Sequence, residues 1–471
     1  MPSDFALASA VPPVGAALPL RKHVAETVRL ALPMIGSRAG MILMITIDTV
    51  VTGWSGPDQL AFFAVGIAPQ ITLMLVALGA LQSTAVLTAQ AIGAGHPAGA
   101  GAVLRAALLH ALVLGVVIGT ASAFSEPFFR AVGQTPEIAA GAAAVSRAYA
   151  YGLPGLLLYV TAAMFLEATG RPRVALIVIL VADLVKIPLN LALVLGWGGF
   201  VAPMGAAGAV LGSSAIRWLC FVAVAWVIWA HRADRRRLGL DVPLRTWFAE
   251  AARAGGEVGR KLRRLGLPMG IAQGVESSAF TAVVFIAGAL GEVAAAAHQT
   301  TMTLLVLVYM SAIGFGGAAT IRTGIAVGRG SQPDVRRAGL VALGLAVVAA
   351  VPVGIAFHLA PQTVAGFVTQ DVSVLTIARD MLMVAGWFVA VDATNGVLLG
   401  ALRGTGDVWL PLFAQGAAFW CVAVPAAYAA THVLGFGPVG LFYGIAAGMI
   451  TSLAILLPRF LAVSARPLHS L

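Results

Sequence analysis

Five ionisable residues stand in stretches otherwise too apolar to hold a charge: Asp48, Asp183, Lys186, Glu276 and Asp392. A charge deep in a lipid-spanning helix is costly, so residues tolerated there usually mark a path for ions or cargo. A carboxyl group in a medium of low dielectric favours its neutral form, and a second one nearby adds to the effect. Such a pair can hold a proton or a metal cation and release it when water or a cationic compound arrives. Glu276 and Asp392 are the candidates for that pair, and they would be the metal ligands if the cation were sodium. Asp48 is the third candidate for coupling to an ion. Asp183 and Lys186 are three apart, so the spacing predicts a local pair on one helix, with Asp48 as the other partner within reach of the lysine. No H-E-x-x-H, G-x-S-x-G or phosphate-binding loop occurs, which argues against metal-dependent or serine hydrolysis and against ATP drive. Cys220 and Cys421 lie far apart inside apolar runs, without the spacing of a disulfide framework or a metal site.

The elements that carry these residues must be membrane helices. The chain of 471 residues is 60% hydrophobic and only 10% charged, against about 25% charged in soluble domains. Apolar runs of about 20 residues recur, the length that crosses a bilayer core. Twelve spans are expected, near 29–53, 60–83, 101–124, 137–164, 173–196, 204–230, 266–290, 293–318, 335–358, 374–403, 407–433 and 438–461. Runs this long suit helices and not barrel strands. The N-terminus is broken by Pro12 and Pro13, and Arg21 and Lys22 follow its apolar part, unlike a cleaved signal peptide.

The formal charge of +10 would suggest a nucleic-acid partner in a soluble protein. Here the basic residues gather in alternate loops, as orientation signals do, and place both termini in the cytoplasm. The Arg-rich connection from His231 to Arg263, with an amphipathic piece at Leu244 to Ala254, reads as a cytoplasmic linker solvated on anionic headgroups. No nucleic-acid site is expected.

The sequence repeats itself. Arg29-Leu30-Ala31-Leu32-Pro33-Met34 returns as Arg264-Leu265-Gly266-Leu267-Pro268-Met269, and Ala91-Ile92-Gly93-Ala94-Gly95 as Ala326-Val327-Gly328-Arg329-Gly330. Thr169-Gly170 returns as Thr405-Gly406. Each half holds six spans, so the halves run in the same direction, the parallel-repeat case among transporters. The expected fold is all-α, with twelve helices in two six-helix lobes related by a pseudo-two-fold axis. The division is a tail over 1–28, a first lobe over 29–230, the linker over 231–265, a second lobe over 266–461 and a tail over 462–471. At about 1.5 Å per residue, Glu276 and Asp392 both lie roughly 15 Å from the cytoplasmic face, and Asp48 about 27 Å from it. The acids are not symmetry mates: Glu276 matches Met41, and Asp48 matches Val283. Glycines at spacing four, Gly36 and Gly40 before Asp48 and Gly396, Gly400 and Gly404 after Asp392, predict close helix packing on the faces that carry the acids.

Several stretches together are specific: ALPMIGSRAGMILMITIDTVVTG, AQAIGAG, LEATGRPR with KIPLN, GLPMGIAQGVESSAF, GEVAAAAHQ, AATIRTGIAVGRG and VDATNGVLLGALRGTGD. Through them the chain resembles the multidrug and toxic compound extrusion (MATE) family, and its NorM branch in particular, from about Arg29 to the end. The resemblance implies an exporter of the bacterial inner membrane that expels bulky cationic or amphiphilic compounds in exchange for protons or sodium, by alternating access. It implies no cofactor, and the chain is taken to act as a monomer. The family's acids fall on Asp48, Glu276 and Asp392, with polar cavity positions at Asn190 and Gln299. Two positions depart from the pattern. Lys186 stands where relatives commonly carry asparagine, which counts against a simple protonation switch at Asp48. Phe388 stands where some sodium-linked members carry tyrosine; the ring remains for contact with a cation, the hydroxyl does not.

Two other classes compete. Gly404-Thr405-Gly406-Asp407 spells the G-x-G-D of intramembrane aspartyl proteases, with Asp392 as second acid, but Asp407 falls in a cytoplasmic turn. A flippase for lipid-linked substrates of similar build would favour a cationic cavity; apart from Arg38, Lys186 and Arg217 the buried charges are acidic.

Overall fold

A computed structural model describes residues 18–197, 202–230, 232–242 and 256–466. Twelve helices among them are long and apolar enough to cross a membrane. They are α1 (Leu20–Trp54), α2 (Pro57–Gly93), α3 (Pro97–Ala123), α4 (Pro136–Ala168), α5 (Pro172–Leu195), α6 (Gly205–Ala230), α7 (Glu257–Ala289), α8 (Glu292–Gly328), α9 (Gln332–Leu359), α10 (Val372–Thr405), α11 (Trp409–Val433) and α12 (Gly437–Val463). No β-strand forms among the described residues. All twelve expected spans are present, but several helices outrun their apolar windows: α1 and α7 start about nine residues early, and α2 and α8 continue about ten residues further. The reason is physical. Hydropathy reports the stretch inside hydrocarbon, while the helical hydrogen-bond ladder carries on into polar surroundings.

Proline opens α2, α3, α4 and α5, where its missing N–H costs nothing. The repeated motifs fold alike. Gly95 and Gly330 have φ of +74° and +67°, and Gly170 and Gly406 have φ of +87° and +85°. These are left-handed turns that close helices, a conformation glycine takes without strain. Gly406 ends α10 by donating its N–H to the carbonyls of Arg403 and Leu402.

The chain divides into two compact units. One comprises Gly36–Gly270; the other comprises the first helix as far as Ile35 together with Ile271 onward. Thus α1 changes unit after Ile35 and α7 after Gly270, each two residues beyond the matched prolines Pro33 and Pro268.

In the first unit α4 is the central helix, with 94% of its apolar window buried, and α2, α3 and α6 pack around it. The first part of the expected solvated linker is docked here. Leu238 and Leu240 are buried against Ala100, Leu104 and Phe165, and Arg171 pairs with Asp234. The Leu244–Ala254 piece lies outside the described residues.

In the second unit α10 packs on α8, α9 and α12. The start of α1 is anchored here by a buried polar cluster. His23 bridges Asp334, at 3.3 Å, and Arg322, at 2.9 Å, while Arg329 reaches Asp334 at 3.2 Å. The glycine stripe of α10 lies against α8: a Cβ at Gly400 would stand 2.1 Å from the Gly316 carbonyl oxygen, and one at Gly404 1.9 Å from Thr323 Oγ1. Thr320 Oγ1 donates to the carbonyls of both Gly316 and Gly400 at 2.9 Å, so the close approach is also hydrogen-bonded. Gly400→Ala is therefore expected to cost about 1–3 kcal/mol by overpacking, read as a lower melting temperature in detergent. Gly288→Ala, whose Cβ meets nothing within 4 Å, is expected to leave melting unchanged or raise it slightly.

Candidate functional site

Each unit holds its own cluster of buried charge. In the first unit, Asp183, Lys186 and Asn190 repeat at three and four residues along α5, which puts them on one helical face. The glycines of α1 let that face come close: a Cβ at Gly40 would stand 2.9 Å from Ile179 and 3.4 Å from Asp183 Oδ2. Asp48, on the same face of α1, accepts from Asn190 Nδ2 at 2.6 Å and from Ser213 Oγ of α6 at 2.6 Å. The Lys186 ammonium is 2.9 Å from Asp48 Oδ1 and donates as well to the Met44 carbonyl. Asp48 is 4% exposed, and Lys186 and Asn190 are fully buried. The local pair expected between Asp183 and Lys186 does not form. Lys186 extends across to α1, where it meets a carboxylate and a carbonyl together, and both Asp183 oxygens lack a hydrogen-bond partner.

Beside this cluster is a small hollow lined by Asp48, Tyr149, Arg217 and apolar side chains from α1, α2 and α6. The Arg217 guanidinium lies over the Tyr149 ring, 4.4 Å from its centroid, a contact that strengthens when desolvated. A second, part-buried pair, Arg38 with Glu167 at 3.4 Å, stands apart from these groups. Ser213 and Tyr149 were not singled out from the sequence. The signal was present for Ser213, which precedes Arg217 by one helical turn in an apolar span.

In the second unit Glu276 of α7 and Asp392 of α10 come near enough for their charges to repel. Arg403, about three turns beyond Asp392 on α10, offers Glu276 a compensating charge. Tyr309 of α8 lies within electrostatic range of both acids, and its hydroxyl has Gln273 of α7 as a hydrogen-bond partner. Both acids are only half-buried, unlike Asp48. The backbone turn carrying Glu276 is held by Trp420, whose indole N–H lies 3.2 Å from both the Val275 carbonyl and Ser278 Oγ. Phe419 packs on Phe280 with ring centroids 5.5 Å apart. Trp420 and Phe419 belong to a π-helical stretch of α11, Ala417–Ala423, and a second follows at Ala429–Val433. Pro425 between them lacks an N–H and crowds the preceding carbonyl, which widens the ladder. Such wide turns often sit at functional sites.

The remaining sequence candidates are placed differently. Phe388 is 2% exposed and stacks on Phe442 of α12, so its ring is packed within the unit. Gln299 is on an exposed face of α8. Asp407, of the G-x-G-D stretch, accepts from Arg459 Nε at 2.6 Å in the turn after α10 and ties that turn to α12. Among the described residues no group of three or more His, Cys, Asp and Glu could hold a metal ion.

Comparison with known proteins places this architecture. The MatE family model matches residues 33–192 and 268–429, two copies that begin 235 residues apart, as the internal repeat does. The "Probable multidrug resistance protein NorM" of Rhodopseudomonas palustris is 32% identical over 449 residues, 93% of this chain and 92% of the relative. "Multidrug resistance protein PmpM" of Pseudomonas aeruginosa is 29% identical over 459 residues, 96% of this chain and 94% of the relative. The crystal structure of the eukaryotic MATE transporter AtDTX14 superposes with a TM-score of 0.83 over 94% of this chain and 96% of that one, at 18% identity, a likeness of fold. The chain belongs to the MatE family, a family of membrane transporters and not of enzymes. Within it, this is a twelve-helix, multi-pass protein of the kind found in the bacterial inner membrane, akin to the NorM proteins.

The ion pair of the first unit has a thermodynamic signature. Asp48→Asn leaves a buried ammonium without its counter-charge and is expected to cost about 3–5 kcal/mol. Lys186→Met alone is expected to cost a similar amount, whereas Asp48→Asn with Lys186→Met removes both charges and is expected to recover most of the loss. Melting temperatures of the four proteins in detergent check this; strictly additive losses contradict a direct pair.

Proposed function

We propose that this protein exports bulky cationic or amphiphilic compounds in exchange for protons or sodium, by alternating access, with Glu276 and Asp392 as the coupling acids. The observation that supports this reading is that Glu276 of α7 and Asp392 of α10, both half-buried, lie within electrostatic range of each other in the second unit. Two carboxylates close together in a medium of low dielectric cannot both remain charged and unattended. A proton or a sodium ion settles the pair, and so does a cationic compound. Binding of one therefore favours release of the other, which is the elementary requirement of exchange. Arg403 and Tyr309 lie within electrostatic range of the pair and moderate the charge it presents. Asp48 completes the set of family acids, with Gln299 as a residue that can meet cargo and the buried Asn190, Lys186 and Phe388 as residues that shape its path from within the packing. The names of the relatives, multidrug resistance proteins, support a broad range of cargo. The alternation of basic loops supports cytoplasmic termini, and one chain carrying both acids supports action as a monomer.

Vesicles that contain the protein and a cationic dye test this. An inward proton or sodium gradient, each applied alone, is expected to drive dye out with one ion and not the other. Glu276→Gln and Asp392→Asn are each expected to reduce gradient-driven export to the level of empty vesicles at unchanged expression. Normal export by both variants contradicts the assignment of the coupling acids.

A further inference from the structure

Lys186 ends in a place made of oxygens. Its ammonium is 2.9 Å from Asp48 Oδ1 and donates to the Met44 main-chain carbonyl. A carboxylate and a carbonyl are the hard donors that hold small cations free of transition-metal character. The rest of the cluster is arranged around an anion already met by a cation: Asn190 and Ser213 both donate to Asp48. Asp183, one turn before Lys186 on α5, adds a second carboxyl group nearby. Arg217 of α6 is the other cation close to the lysine.

We infer that the Lys186 ammonium is a cation built into the chain that occupies, at Asp48 and the Met44 carbonyl, the place an exchangeable monovalent cation would otherwise take. Its advantage over a dissolved ion is one of concentration. A tethered group that already reaches its site competes as though present at very high concentration. It is fully buried, so leaving means carrying a charge through apolar surroundings. Local pairing with Asp183 would have left Asp48 open to a mobile ion; the observed geometry closes it. Building on the exchange proposed above, coupling then rests on Glu276 and Asp392, and the charge at Asp48 is fixed. The same geometry makes the position a determinant of ion use: shortening the side chain at 186 converts a filled site into an open one.

The test uses the full-length protein in detergent and reads binding and stability, so that its outcome is independent of whether export occurs. Lys186→Ala removes the tethered cation and leaves room for a free one. Its melting temperature is expected to rise with sodium or methylammonium chloride, and to stay flat with N-methylglucamine chloride, which is too large to enter. Radioactive sodium is expected to bind to one more site per chain in Lys186→Ala than in the wild type. The extra site is expected to vanish when Asp48→Asn is added. A folded Lys186→Ala protein that gains neither sodium binding nor a cation-dependent melting shift overturns the inference. If Lys186→Ala folds in none of these salts, the wild type is compared with Asp48→Asn carrying Lys186→Met. Sodium binding that is equal in the two supports a site already filled, and wild-type sodium binding that depends on Asp48 overturns it.

Discussion

A hydrocarbon interior has no water to attend a charge, so each ionised side chain inside it needs a partner supplied by the protein or by its cargo. The two candidate sites meet that constraint in different ways, while the His23, Arg322, Arg329 and Asp334 cluster of the second unit is paired internally. In the first, the partners are internal: Lys186, Asn190 and Ser213 surround Asp48, Arg38 pairs with Glu167, and Arg217 lies on the ring of Tyr149. In the second, Glu276 and Asp392 lie within electrostatic range of each other, of the Arg403 guanidinium and of Tyr309. A largely paired cluster fixes structure, although the Asp183 carboxyl beside it has no hydrogen-bond partner. On the proposed reading, the acid pair of the second unit is a place for something that comes and goes. Neither arrangement would matter in water, where about 1 kcal/mol separates paired from unpaired ions at contact distance.

The twelve helices were legible because crossing a bilayer demands a long apolar run, and composition cannot hide that. Their ends were not legible. The first helix begins at Leu20 and the seventh at Glu257, in basic and polar sequence, because a helix once nucleated continues wherever its backbone bonds can form. The repeat was legible down to backbone conformation: glycines that match in sequence, Gly95 with Gly330 and Gly170 with Gly406, adopt the same left-handed turns. Tight packing of the Gly396-Gly400-Gly404 stripe could also be read from spacing alone, since small residues one turn apart have few other uses in a membrane helix.

The site was legible in part. Counting residues from the cytoplasmic ends put Glu276 and Asp392 at one depth, and the proposed coupling rests on their interaction. Sequence spacing favoured Asp183 for Lys186; the contact across to α1 won because it offers a carboxylate and a carbonyl together. No local pattern reveals which neighbouring helix a long side chain will cross to. Tyr309 and Trp420 escaped notice for the same reason, being aromatic residues in apolar spans whose partners lie on other helices. The π-helical turns of α11 were hidden too, although Pro425 was the cue that the ladder there had to widen.

The internal repeat and the divergence of its charges fit together. Two copies of one six-helix design share turns, prolines and packing glycines, yet Glu276 faces Met41 in the alignment of the halves and Asp48 faces Val283. The scaffold features are shared while the charges are placed differently, with an ion pair of Asp48 and Lys186 in one unit and two carboxyl groups within electrostatic range of each other in the other. The most direct test of this account is equilibrium binding of a cationic dye to the purified protein over a range of pH and sodium concentration. The account expects the apparent affinity to fall as the coupling ion rises, in the manner of competition for one pair of carboxylates, and that dependence to disappear in Glu276→Gln. Dye affinity that is independent of both ions in the wild type would contradict it.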